Sequence, residues 1–205
     1  MKRITFILVA MFWTLPSLGF AQVAPTGSPV IEPVDVDTND KRSEEERIRF
    51  LLSGYEYFPS KQDLLKVGDG ARVQSILIAL VKNVSKRPSL RLRAVDALGY
   101  FKGDKVDTFL KTTIASTVKG KDGVQNRTQK RIRSHAITSF AKSAQKDGLK
   151  FLTKLAIHSD LDIRLSAIYG IGKHCGKEGR VVLSTLAKKE ENSTVLRALR
   201  KFKAN

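Results

Sequence analysis

The stretch Ile132–Ala141 reads IRSHAITSFA, and thirty-one residues further on Ile163–Gly172 reads IRLSAIYGIG. A third version, LRLRAVDALG, occupies Leu90–Gly99. With the arginine of each as anchor (Arg91, Arg133, Arg164), the residue before it is Leu90, Ile132 or Ile163. Three positions on stand Ala94, Ala136 and Ala167; four on, Val95, Ile137 and Ile168; seven on, Leu98, Phe140 and Ile171. Spacings of −1, +3, +4 and +7 trace one face of an α-helix, with a small residue where another helix must approach.

A second half follows each copy. Eighteen and nineteen positions after the anchor stand Phe109-Leu110, Phe151-Leu152 and Val182-Leu183. At +22 and +23 come Thr113-Ile114, Leu155-Ala156 and Leu186-Ala187, which makes a second amphipathic helix. Between the two helices lie the polar turns Lys102–Asp104, Gln145–Gly148 and Gly176–Gly179. Weaker copies flank the three. Arg49 carries Ile48, Leu52 and Tyr57 as a first helix, and Ile76-Leu77 with Leu80-Val81 as a second after the insert FPSKQDLLKVGDG. Val195 replaces the last anchor, with Ala198, Leu199 and Phe202 in register. Anchors at 49, 91, 133, 164 and 195 give gaps of 42, 42, 31 and 31, a thirty-one-residue period with two eleven-residue inserts, the second near TVKGKDGVQNR.

One helix-turn-helix unit exposes apolar surface that it cannot cover alone, and stacking like faces covers it. The expected fold is therefore all-α, an α-solenoid (superhelix) of about four to five helix-turn-helix repeats. The anchor arginines are expected to tie neighbouring units through carboxylates or helix ends, with Arg164 and Asp160 or Asp162 as the best pair. The pattern aliphatic-Arg-x-x-Ala followed by Ala-Leu-Gly resembles the first helix of HEAT repeats. The short period resembles the HEAT-like repeats of many bacterial proteins, phycobilisome lyases among them. The resemblance covers residues 44–205. It implies an architecture and no particular activity. Family members often carry Asp just before the arginine, and here only Asp160-Leu-Asp162-Ile-Arg164 does so.

The segment before the repeats divides in two. Lys2 and Arg3 precede an apolar run from Ile4 to Leu18, and Gly19 and Ala21 take the −3 and −1 places of a cut before Gln22. That layout predicts a cleaved signal peptide over residues 1–21 and an exported protein, periplasmic or extracellular. The rival reading, a retained anchor, needs ~20 apolar residues, and Pro16 interrupts this shorter run. Residues 22–43, with Pro25, Pro29 and Pro33, predict a disordered acidic linker. The HEAT-like repeat domain then spans 44–205.

The single cysteine, Cys175, excludes an intramolecular disulfide; it is either a buried small hydrophobe or a thiol for pairing between chains. His135, His158 and His174 are scattered with no carboxylate at metal-ligand spacing, and the His-Glu pairs through which some HEAT-like hydroxylases hold iron are missing. YGIGKHCGKEG has GxGxxxG, not GxGxxG, no preceding strand and no P-loop ending. His174 and Cys175, adjacent on a helix, would point about 100° apart. No catalytic residue, metal or cofactor is expected.

Charge remains. Residues 22–46 carry net −5, and residues 47–205 carry thirty-three basic against thirteen acidic side chains, net +20. Such a field attracts anionic partners. The basic residues concentrate around the second insert (Lys119, Lys121, Arg127, Lys130, Arg131, Arg133) and at the C-terminus (Arg197, Arg200, Lys201, Lys203). Lys130, Arg131, Arg197, Arg200, Lys201 and Lys203 are the expected partner contacts. The expected function is a non-catalytic interaction scaffold of the bacterial envelope, docking a protein or an anionic surface. The alternatives are nucleic-acid binding, as in the basic HEAT-like DNA glycosylases, and a lyase-like enzyme. Most aromatics fall in core phases (Phe109, Phe140, Phe151, Phe202), leaving Tyr55, Tyr57 and Phe58 as a cluster, whereas single-strand binding wants stacking platforms.

Overall fold

The computed structural model describes residues 41–54, 57–116 and 123–202, all within the compact unit Asp35–Asn205. The expected signal peptide and most of the linker lie outside them. Every regular element among the described residues is helical: α1 (Glu44–Ser53), α2 (Lys61–Leu65), α3 (Gly70–Lys82), α4 (Pro88–Leu98), α5 (Asp104–Ala115), α6 (Gly123–Ala144), α7 (Leu149–Leu155), α8 (Leu161–His174), α9 (Gly176–Ala187) and α10 (Ser193–Lys201), with a 3-10 turn at Gln145–Gly148. The all-α expectation holds.

The repeated residues are the packed ones. Ala94, Ala136, Ala167 and Ala198 are buried, as are Val95, Ile137, Ile168 and Leu199 beside them. Small residues at the first of these phases let backbones approach: α4 packs on α1 and α6, α6 on α8, and α8 on α10. Each second helix packs on the first helix that follows it, α3 on α4, α5 on α6, α7 on α8 and α9 on α10. Leu52 replaces the alanine in α1 and is itself buried.

Local signals set the helix ends. Ser43 and Glu46 form a reciprocal capping box at α1, as Ser60 and Asp63 do at α2. Asp69, Asp160 and Asn192 cap α3, α8 and α10 with side-chain oxygens. Gly103, at φ 137°, turns the chain into α5 where a side chain would be strained.

Four details differ from the expectations. Tyr57 is not on the first helix: α1 ends at Ser53, and the Tyr57 hydroxyl instead bonds the Asp63 carboxylate inside the first insert, which folds a helix of its own, α2. The turn at Gly176–Gly179 shrinks to the Cys175-Gly176 junction, where Gly176 takes φ 62° and α9 begins at once. The second insert is partly helical, since the chain is in α6 from Gly123 onward, and residues 117–122 lie outside the described set. Finally, Asp160 does not pair with Arg164. Its Oδ1 accepts the Asp162 and Ile163 amides as the α8 cap, and its Oδ2 takes Arg133 of α6 at 3.2 Å. Arg164 reaches back to the His158 carbonyl at 3.2 Å, just past α7.

Arg91 makes the equivalent backward bond from its buried side chain, Nε donating to the Val81 carbonyl at 2.9 Å near the end of α3. A guanidinium suits this place because the last carbonyls of a helix have no intrahelical donor and carry its negative end. The anchors thus tie successive helix pairs, Arg91 and Arg164 backward and Arg133 forward.

Cys175 is buried, and its thiol donates to the Gln145 carbonyl at 3.3 Å. Burial, and then the charge of Glu178, push the thiol up to about 11. The packing favours the small-hydrophobe reading over pairing between chains. A thiol reagent at pH 8 is expected to react roughly a hundredfold more slowly with the folded chain than with the unfolded one, since thiolate and access are both lacking. An acid whose pKa rises on folding stabilises while protonated. That contribution is complete below the unfolded value of 9.0 and is lost as pH climbs toward about 11. Cys175→Ala should flatten the stability profile in that window; equal reaction rates in folded and unfolded chains would refute the burial.

Candidate functional site

The first helices turn a second set of repeated positions outward. Relative to the anchors, +2 holds Arg93, His135, Ser166 and Arg197, and +5 holds Asp96, Thr138, Tyr169 and Arg200. These phases lie opposite the buried −1, +3, +4 and +7 set. On α6, Arg127, Arg131, His135, Thr138 and Lys142 follow one another at spacings of four, four, three and four, so they form one stripe.

Aromatic rings and cations alternate along this face. Lys142 Nζ of α6 sits 3.4 Å from the ring centre of Tyr100, just past α4, and Lys201 Nζ of α10 lies 5.4 Å from that of Tyr169 on α8. Arg93 stacks at 5.2 Å over Phe58 while its terminal nitrogens donate to the carbonyls of Gly54 and Tyr57. Each contact covers an aromatic face with a cation from another element, which is favourable electrostatically and keeps the long side chain in place.

Between α4, α6 and α8 the face sinks into a groove of about 440 Å³. His135 Nδ1 meets Asp96 Oδ1 at 2.8 Å across α6 and α4, both side chains about one-third exposed. Tyr169, Lys173 and His174 of α8 form the opposite wall. Burial, assisted by the charges of Lys142 and Lys173, holds the His174 imidazole below its ordinary range. Burial also lowers the Lys142 ammonium, against the opposing pull of Asp96, and raises the Tyr100 phenol.

An oriented Asp-His pair invites a nucleophile. Two hydroxyls of the groove are bound on their own helices: Thr138 donates to the His135 carbonyl at 2.9 Å and Ser166 to that of Asp162 at 2.7 Å. The Asp96–His135 contact ties α4 to α6. Among the described residues no three or more His, Cys, Asp or Glu side chains gather as a metal site. The glycines of YGIGKHCGKEG lie within or at the start of helices α8 and α9, so no phosphate loop forms there.

The expected contact residues fall in two groups. Lys130 and Arg131 are exposed on α6, Arg131 on the stripe with His135 and Lys130 about 100° round the helix from it. Arg197, Arg200 and Lys201 are exposed on α10, the first two in the outward phases. Helix α8, which carries neither group, packs against both α6 and α10. Lys203 lies outside the described residues. The reading of the sequence missed Arg93, Asp96, Tyr100, Lys142 and Tyr169. Their signal is present in the sequence as the outward +2, +5 and +9 phases of the same repeat. No helix among the described residues is long and apolar enough to cross a membrane. No family model matches the chain, and no curated protein matches it.

Proposed function

We propose that residues 44–205 form an α-solenoid of four to five HEAT-like helix-turn-helix units, exported to the bacterial envelope, that docks a protein through the outward face of its first helices. The observation that carries this reading is the ladder of Arg93, Arg131, Lys142, Lys173, Arg197 and Arg200 on that face, in phases repeated from helix to helix. The serial packing of α1, α4, α6, α8 and α10 supports the architecture. Stacked repeats present long rigid surfaces, and a guanidinium-rich one selects acidic partners by steering and by bidentate bonds. The partner is a protein with an acidic surface; an anionic envelope surface is the neighbouring possibility under the same chemistry.

Crosslinking in the native envelope, followed by purification of the chain, tests the proposal. Arg197→Glu with Arg200→Glu is expected to lower capture of the crosslinked partner at least tenfold while the melting temperature moves by no more than about 2 °C, since both side chains are exposed. Undiminished capture would sink the docking face. Duplex nucleic acid is the competing occupant, favoured by the same basic stripe. Recovery of the chain in the cytoplasm, with affinity for duplex DNA that falls steeply with salt, would replace the proposal with that one. The rings of Tyr100 and Tyr169 already carry cations, which leaves poor platforms for unpaired bases.

A further inference from the structure

The first helices share an edge as well as a face. Tyr100, just past α4, lies beneath Lys142 near the end of α6, and Gln145, just past α6, accepts from Cys175 at the end of α8. Ends that meet in this way, on helices packed side by side, make α4, α6 and α8 parallel, so their starts lie together at the opposite edge. Arg133 lies ten residues into α6, whereas Arg91 and Arg164 lie three into α4 and α8. Helix α6 therefore begins ahead of both neighbours by about two turns. Exposed aliphatic side chains stand on either side of it. Val84, in the segment that enters α4, is 79 % exposed; Ile157, in the turn that enters α8, is 66 % exposed, with Leu161 at the head of α8 also exposed. Arg87, Arg127, Lys130 and Lys154 are exposed at the same edge and form no ion pair among the described residues. Of the two carboxylates flanking Leu161, Asp160 is matched by Arg133 at 3.2 Å, which leaves Asp162.

We infer that this edge docks on a bilayer of anionic lipid, with Val84, Ile157 and Leu161 entering the boundary between headgroups and acyl chains and the cations resting on lipid phosphates. Aliphatic side chains at loop tips hold apolar surface in water, and an acyl boundary removes it. The other occupants fit less well. A nucleic acid offers phosphates to the cations, but its interfaces are polar and give Val84 and Ile157 nothing to pack against. A protein interface is built round a contiguous apolar core, whereas these tips belong to α4 and α8 and stand about 20 Å apart with α6 between them. A lipid surface is continuous, so it takes separate tips at once, and cations near it add their attractions. This edge is separate from the outward face proposed above and does not depend on a partner docking there.

The test sediments the full chain with phosphatidylcholine vesicles, with and without phosphatidylglycerol. Binding is expected only where phosphatidylglycerol is present. Val84→Ser with Ile157→Ser should weaken it about fivefold or more, with the melting temperature unmoved because both side chains already stand in water. Arg87→Gln with Arg127→Gln should weaken it by about the same factor. The control Val181→Ser, which removes an aliphatic side chain 67 % exposed on α9, should stay within about twofold. Residues 1–40 are common to all these variants, so any binding of their own cancels in the comparison. An environment-sensitive fluorophore attached through Ile157→Cys should shift to the blue on the anionic vesicles, and one attached through Val181→Cys should not; Cys175 is buried from the label. A chain that does not sediment, an equal loss in Val181→Ser, or capture by a duplex oligonucleotide in place of vesicles would overturn the inference. So would a chain that sediments while the fluorophore at position 157 keeps its aqueous emission, which is adsorption by charge alone.

Discussion

Ala167→Arg should abolish cooperative folding of the repeat domain, or lower its melting temperature by more than 10 °C. Ala167 is fully buried in α8, at the phase where α4, α6 and α10 carry Ala94, Ala136 and Ala198. Arginine there adds volume to a close helix contact, which costs about 1–3 kcal/mol for overpacking alone. It also strands a guanidinium away from water, adding several kcal/mol, so the total of about 5 kcal/mol or more rivals the whole stability of an ordinary domain. In a domain of this size each kcal/mol moves the melting temperature by about 2–4 °C. Ala136→Arg in α6 should behave alike, because it occupies the same phase and is equally buried. The control is Ser166→Arg, one residue away on the outward face, which should stay within about 0.5 kcal/mol of the parent. Circular dichroism melts of the three variants decide the matter. An Ala167→Arg protein that melts with its parent would mean that the inward face has been assigned wrongly.

The inward face was legible because burial repeats with the helical period, and the residues at −1, +3, +4 and +7 had to be alike for like faces to meet. Helix ends were less legible. Asp160 looked like a partner for Arg164 because the two are close in sequence, yet an aspartate at a helix start is claimed by the first amides, and its remaining oxygen faced Arg133 of the helix before. Distance along the chain was a poor guide to distance in space. The same holds for Arg49 and Arg87, which stand thirty-eight residues apart and line one depression only once α1 and α4 pack together. The cation-covered rings of Tyr100 and Tyr169 were hidden for another reason. Their partners, Lys142 and Lys201, sit on later helices, and lysines on a helix surface give no sign in the sequence of what they lie against. Charge concentration could be counted along the chain, but convergence needed the packing.

Phe140→Ala should be the most destabilising simple truncation, at about 3–5 kcal/mol. The ring is 1 % exposed and meets Phe151 edge-on, with centres 5.2 Å apart and planes at 77°. Lys111 of α5 caps both rings, at 5.2 Å and 5.9 Å. Removing Phe140 therefore opens a cavity where α5, α6 and α7 come together, and the T-shaped pair loses about 0.5–1.5 kcal/mol beyond its buried area. Phe202 holds the equivalent phase after α10, where its edge-on partner is Tyr169 at 5.4 Å and it is only half-buried. Phe202→Ala should accordingly cost less than half as much. The contrast reaches beyond packing quality. If the helix pairs form a stacked array, damage in a middle unit uncouples the two sides, whereas damage at the last unit merely frays an end. Urea unfolding followed by both fluorescence and circular dichroism should then give coincident transitions for Phe202→Ala. Phe140→Ala should show separated transitions or a lower slope, because the pieces no longer unfold together. Equal losses at the two positions, with coincident transitions in both, would mean that the helices share one undivided core and that the stacked-repeat architecture must be given up.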